Sequence, residues 1–258
     1  MDLTPEQVRV LGCLIEKAMT TPDLYPLTMN SLVTACNQST SRDPVVSYDV
    51  DVVKAALDHL RARLRFVRVE LPSHGNRVEK YKHVLNERLE LSPPELAVMA
   101  VLFLRGPQTF NEIMTRTERL FVFESAAALE RTLDRLADPT QEADPTEQPA
   151  RSDDGQLRST TTAYSTTDEE RPADYRRPWT GPLVLRLPRL PSQKEARVAH
   201  LLAGEIDVEA LASRLSAGPG VVGGRSDRVD ALEIEVATLR GALDVLRDEF
   251  DRFRAQFG

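Results

Sequence analysis

One stretch of this chain occurs twice, and the repeat limits what the chain can fold into. Residues 3–37 read LTPEQVRVLGCLIEKAMTTPDLYPLTMNSLVTACN, and a shortened version, LSPPELAVMAVLFLRGPQTFNEIMTRT, returns at 91–117. Thr4-Pro5-Glu6-Gln7 aligns with Ser92-Pro93-Pro94-Glu95. Each has a hydroxyl residue at an N-cap, proline at the first helical position and an amide or acid two residues later, the capping-box pattern. Val8, Leu11, Leu14 and Ile15 then match Leu96, Met99, Leu102 and Phe103 as one apolar helix face. Thr28-Met29-Asn30 and Leu32 match Thr109-Phe110-Asn111 and Ile113, and Leu57-Asp58-His59-Leu60 reappears as Leu133-Asp134-Arg135-Leu136.

The period is too long for a solenoid unit, so it predicts two related domains, 1–88 and 89–204. In the first, helical spacing predicts helices over about 5–19, 28–36 and 48–64, then alternating strands over 66–69 and 77–85. Gly12 inside the first helix suggests a second backbone packed close by. In the second domain the helices fall at 93–105, 110–119 and 125–137, with strands at 183–187 and 196–202. Helix, helix, helix and strand pair is the order of a winged helix-turn-helix. The expected fold class is therefore mainly α with small β-hairpins (α+β): two tandem winged helices and a C-terminal coiled-coil helix.

The rest of the chain is read by composition. Residues 138–182 are rich in Thr, Ser, Asp, Glu and Pro and predict a disordered insertion between the third helix and the wing of domain two. Trp179, at its end, is expected to pack on domain two. Residues 205–225 form a small-residue linker. In 226–258, Val229, Leu232, Val236, Leu239, Leu243, Leu246, Phe250, Phe253 and Phe257 are spaced alternately 3 and 4, a coiled-coil seam. Arg228 with Glu233, Glu235 with Arg240 and Glu249 with Arg254 match in a parallel register, so the tail predicts a homodimer. Packing of the tail on its own domains is the alternative.

Enzyme classes find no support in the residues. P-loop, HExxH and nucleophile-elbow motifs are missing, so no catalytic residue, cofactor or metal is expected. His83 and His200 occupy equivalent places in the repeat, which suggests a packing or hydrogen-bonding role at a strand end rather than catalysis. Cys13 and Cys36 lack metal-ligand spacing and read as small buried residues. No apolar run approaches the roughly 20 residues of a membrane span, and the N-terminus lacks a signal-peptide core, so a cytoplasmic chain is expected.

Net charge is −7, yet basic residues cluster locally. Arg61, Arg63, Arg65, Arg68, Arg77, Lys80 and Lys82 fall at the end of the third helix and along the hairpin, where phosphates meet such a domain. Lys54 and Arg61 are placed to approach the major groove. Asn37, Gln38, Ser39, Ser41 and Arg42 offer donors just before that helix. Asp49 and Asp51 in its first turn oppose phosphate. Domain two is less suited to DNA, with Glu112, Glu118 and Glu124 and no basic hairpin.

The segments around 3–45, GNRVEKYKH, LSPPELAVMAVLFLRGPQT and LPRLPSQKEARVAHLL resemble the YceH-like bacterial proteins over 3–137 and 183–204. The resemblance implies two tandem winged helices and a coiled-coil tail. It assigns no catalytic residues, and the 138–182 insertion departs from the more compact family pattern. Two functional expectations follow: a dimeric DNA-binding transcriptional regulator, or a scaffold whose winged helices, with the Tyr25-Pro26-Leu27 loop and Asp49/Asp51, dock a protein partner without DNA.

Overall fold

Each half begins with a helix whose start is fixed by local hydrogen bonds. Thr4 accepts from the Gln7 N–H (3.4 Å) while its own N–H donates to Gln7 Oε1 (3.1 Å), opening α1 (Pro5–Thr20). Ser92 donates its N–H (2.7 Å) and hydroxyl (2.6 Å) to Glu95, opening the equivalent α5 (Pro93–Arg105). Proline at the first helical position removes an N–H that would have had no partner. The structure is a computed structural model that describes residues 2–70, 78–139, 179–189, 195–204 and 206. The described residues lie in one compact unit, Met1–Ile206. The expected coiled-coil and linker residues, Arg77 with its loop, and most of the 138–182 stretch fall outside the described residues.

After α1 come β1 (Leu27–Thr28), α2 (Met29–Cys36), α3 (Val50–Ala62), β2 (Val67–Glu70) and β3 (Lys80–His83). A short helix, α4 (Leu85–Leu89), leads to α5. The second half repeats the order with β4 (Gln108–Thr109), α6 (Phe110–Thr117), α7 (Ala126–Ala137), β5 (Val184–Arg186) and β6 (Arg197–His200). The result is a mixed α+β fold with seven α-helices among the described residues and two small antiparallel sheets, ordered β1-β3-β2 and β4-β6-β5. Register matches as well as order. Leu27 faces Tyr81 as Gln108 faces Val198, and Val67 faces His83 as Val184 faces His200.

Several boundaries differ from the sequence expectation, each for a local reason. The third helix starts at Val50 rather than 48, because Asn37 holds Tyr48 extended through both its N–H and C=O at 2.7 Å. Asp49 caps it, accepting from the Val52 N–H at 2.8 Å. The β3 strand stops at His83, and Leu85 starts α4, which buries Leu85 and Leu89 one turn apart and ends at Glu90 in the left-handed region. The α6 helix ends at Thr117, whose C=O accepts from both Leu120 and Phe121. The two-residue strands β1 and β4 were not anticipated.

The two halves share a core. The α1 helix is buried at Val10, Leu11, Gly12, Cys13, Leu14 and Ile15, and α5 from Glu95 to Leu104, as expected for helices enclosed on all sides. A Cβ added at Gly12 would sit 2.9 Å from Leu104 Cγ and Cδ2 and 3.0 Å from Phe103 Cβ. The close neighbours at Gly12 are therefore side chains of the first helix of the other half, rather than the backbone expected. The Asp43 N–H donates to the Leu104 C=O (2.9 Å) and Leu3 N–H to Leu202 C=O (2.8 Å), tying the halves further. Trp179 packs against this core, its indole donating to the Pro182 C=O at 3.0 Å.

Candidate nucleic-acid interface

The α3 helix turns Val53, Ala56, Leu57 and Leu60 inward. Its other face exposes Asp51, Lys54, Ala55, Asp58, Arg61 and Ala62, a mixture of both signs. The chain then leaves the helix through exposed Arg63 and through Arg65 in the left-handed region (φ 54°), while Phe66 enters the core. On the hairpin, Lys80 is exposed. Lys82 pairs with Glu70 at 2.5 Å, and Arg68 with Glu87 at 3.0 Å. Among the described residues, Lys54, Arg61, Arg63, Arg65 and Lys80 make no ion pair. The residues of the expected cluster thus lie on α3, the turn after it and the β2–β3 hairpin, apart from Arg77, which lies outside the described residues.

Arg42 is not on that surface, and its expected role as a phosphate contact is corrected. Its side chain is fully buried. Nη1 and Nη2 grip Glu16 at 3.1 and 2.6 Å, Nε and Nη2 reach the Ala35 C=O at 3.1 and 3.0 Å, and Ser41 C=O and Gln38 Oε1 take what remains. All five N–H donors are engaged. Burial opposes its charge, but the hydrogen-bonded Glu16 carboxylate outweighs this and holds its pKa above the ordinary value. Glu16, on α1, is that partner. Asn37 is likewise taken up by Tyr48, and Gln38 by Arg42 and Lys17.

Sequence reasoning also passed over Arg9, which is 4% exposed and donates to Cys36 C=O (3.0 Å) and Pro44 C=O (2.5 Å). Burial lowers its pKa. Arg9 and Arg42 together satisfy the last carbonyls of α2, a favourable place for cations. The Tyr25-Pro26-Leu27 loop also differs from expectation. Leu27 is core, and the Tyr25 hydroxyl accepts the His83 N–H at 2.7 Å, so the exposed apolar side chain there is Leu24 (73% exposed).

The second half has closed its corresponding face. Arg186 bonds Glu130 (2.9 Å) and Asp134 (2.7 Å) on α7, and Arg197 bonds Glu112 (2.9 Å). Burial would raise the Glu112 pKa, but the Thr109 N–H, Arg116 and Arg197 lower it on balance. His83 and His200 sit at the same register point. Burial pushes His83 to about 3 and His200 to about 4, and His200 meets the Phe103 ring edge-on at 5.0 Å, a packing role. Among the described residues no three His, Cys, Asp or Glu side chains converge as metal ligands, and no helix is long and apolar enough to cross a membrane.

Known proteins share this framework. A UPF0502 protein of Geobacter sulfurreducens is 42% identical over 258 residues, spanning 99% of this chain and 98% of its own length. UPF0502 proteins of Pelobacter propionicus and Azoarcus sp. are each 40% identical, covering 99% and 94% of their own lengths. These relatives are about as long as this chain, so the 138–182 stretch does not lengthen it beyond them, contrary to the sequence expectation. The model of the family described as "Protein of unknown function, DUF480" matches residues 3–151. With more than half its length matched and relatives similar from end to end, the chain belongs to this DUF480/UPF0502 family of uncharacterised bacterial proteins.

Proposed function

We propose that this protein is a non-enzymatic, dimeric DNA-binding regulator that engages duplex DNA through its first half. The order α1, β1, α2, α3, β2, β3, with the short strand joining the hairpin, supports a winged-helix reading of that half. The observation that carries the proposal is the run of five exposed cations without ion partners among the described residues: Lys54, Arg61, Arg63, Arg65 and Lys80. Lys54 and Arg61 approach the major groove. Arg63, Arg65, Lys80 and Arg77 meet phosphates. Asp51 and Asp58 on the same helix favour contacts through its C-terminal end and the hairpin over its first turn. The tail at 226–258 supplies the dimer, tested by sedimentation of the full chain beside one ending at Gly224.

The experiment is titration of random-sequence duplex DNA across salt. Each phosphate contact contributes about 0.9 to the negative slope of log affinity against log salt. Arg65→Ala with Lys80→Ala should weaken binding to all sequences alike and reduce the slope by about 2. Absence of binding at low salt refutes the proposal. The second reading, a protein-docking module, draws on Leu24, exposed beside β1. A stoichiometric protein partner lost on Leu24→Asp, in a sample free of nucleic acid, would favour it.

A further inference from the structure

We propose that the cleft between the two halves is a binding site for a small ligand bearing a phosphate group. The cleft has a volume of about 440 Å³ and lies where the end of α1 and the loop at 38–41 face the ends of α5 and α6. That volume is in the range of small-molecule sites, roughly 300–1,000 Å³. Lys17, Arg105, Arg116 and Arg119 line it, against one lining carboxylate, Glu16. Glu16 is already gripped by buried Arg42. Lys17 also pairs with Glu16 (3.7 Å), and Arg116 pairs with Glu112 (3.2 Å), which Arg197 shares (2.9 Å).

Arg105 gives the cleft its chemistry. It is half-buried, and among the described residues it has no ion pair. Burial and then the neighbouring Arg116 and Arg42 guanidinium groups lower its pKa, while Asp43 and Glu16 offset part of this. A cation held among cations in a partly dry place is stabilised by an anion that several of them can share. The C-terminal ends of α1, α5 and α6 also face the cleft and offset about half a charge each. They leave the guanidinium forks of Arg105 and exposed Arg119 without an ionic partner among the described residues, and such forks match phosphate oxygens in pairs. Val101, Leu104 and Leu120 are the apolar lining, and the described lining contains no aromatic ring to stack a base. The recognised part is therefore the phosphate.

The test uses the full-length protein, with inorganic phosphate and pyrophosphate as probes against chloride at matched ionic strength, read by calorimetric titration and by Tm. Saturable binding is expected, with a rise in Tm, and Arg105→Gln should weaken pyrophosphate binding at least tenfold. Arg119→Gln, at an exposed position, should weaken it with the unliganded Tm unchanged, which separates ligand loss from misfolding. Arg186→Gln, far along the chain from the cleft lining, should bind as the parent does. Binding that is unsaturable, or equal in parent and both cleft variants, overturns the site. Tighter binding of succinate than of pyrophosphate overturns the phosphate assignment, and stoichiometric displacement of pyrophosphate by duplex DNA overturns the small-ligand assignment.

Discussion

Replacing Arg42 with methionine separates a structural arginine from a DNA-contacting one. Methionine keeps an unbranched apolar stem but removes all five donors. The change leaves the Glu16 carboxylate, 15% exposed, without its bidentate partner, and it strips the Ala35 C=O of two hydrogen bonds at the end of α2. Breaking a buried ion pair from one side costs about 3–5 kcal/mol, a large part of a total stability of roughly 5–15 kcal/mol. With a urea slope near 2 kcal/mol per molar, the unfolding midpoint should fall by about 2 M. Glu16→Gln retains a neutral acceptor and should cost less, about 1–2 kcal/mol. The pair should show a coupling above about 1 kcal/mol in a double-mutant cycle, because the two side chains touch. Equilibrium urea unfolding followed by far-UV circular dichroism measures each value. An Arg42→Met midpoint within a few tenths molar of the parent, accompanied by weaker DNA binding, would refute the reasoning and return Arg42 to the surface.

Other perturbations follow from the same contacts. Gly12→Ala gains helix propensity of about 1 kcal/mol, yet its Cβ meets Leu104 Cγ and Phe103 Cβ at 2.9 and 3.0 Å. Overpacking of about 1–3 kcal/mol should win and leave a net loss in urea unfolding; a more stable variant would mean the α1–α5 contact yields easily. His200, lowered to about 4 by burial, is neutral when folded and protonates near 6.5 when unfolded. Its contribution is therefore intact above pH 6.5 and is lost as pH falls from 6.5 towards 4. His200→Gln should narrow the stability difference between pH 7.5 and pH 5, and an unchanged difference counts against a buried neutral imidazole. Arg186→Ala removes two exposed ion pairs, so its cost should stay below about 1 kcal/mol; a much larger loss would show that Arg186 braces the sheet.

What the sequence showed and hid divides by the range of the interaction. The capping boxes that open α1 and α5 and the apolar faces of α1, α3, α5 and α7 depend on residues within a few positions of one another, and the repeat shows by direct comparison of two stretches. Gly12 was legible because a glycine in a strong helix needs a reason, and the reason proved to be Leu104 and Phe103. The strands β1 and β4 were not legible. Two residues show no alternation, and Leu27–Thr28 becomes a strand only by pairing with Lys80–Tyr81. Arg42 misled for the same reason. It lies in a polar run that reads as exposed loop, and nothing local reveals that this loop folds back across α1 to place it against Glu16. The basic residues of α3 and the hairpin were legible as a cluster, whereas the pairing of Lys82 and Arg68 with Glu70 and Glu87 depends on the fold.

The two halves keep one frame and use it differently, which narrows where a nucleic acid could sit. At the register point where the first half has Val69, facing Tyr81, the second half has Arg186, facing Val198. Val69 leaves the outer face of α3 unbridged from the sheet side. Arg186 instead reaches across to Glu130 and Asp134 on α7, binding the sheet to the face that would otherwise approach a groove. Arg197 is held in the same way by Glu112. Cations neutralised by neighbouring carboxylates release few counterions from DNA, and the carboxylates repel its phosphates. Among the described residues Arg186 and Arg197 are thus neutralised on that face, while Arg105 and Arg119 line the cleft. A chain with one open basic face and one closed half needs a second copy to read a symmetric site. The proposed dimerisation through the tail and the proposed one-sided footprint thus stand as two parts of a single reading.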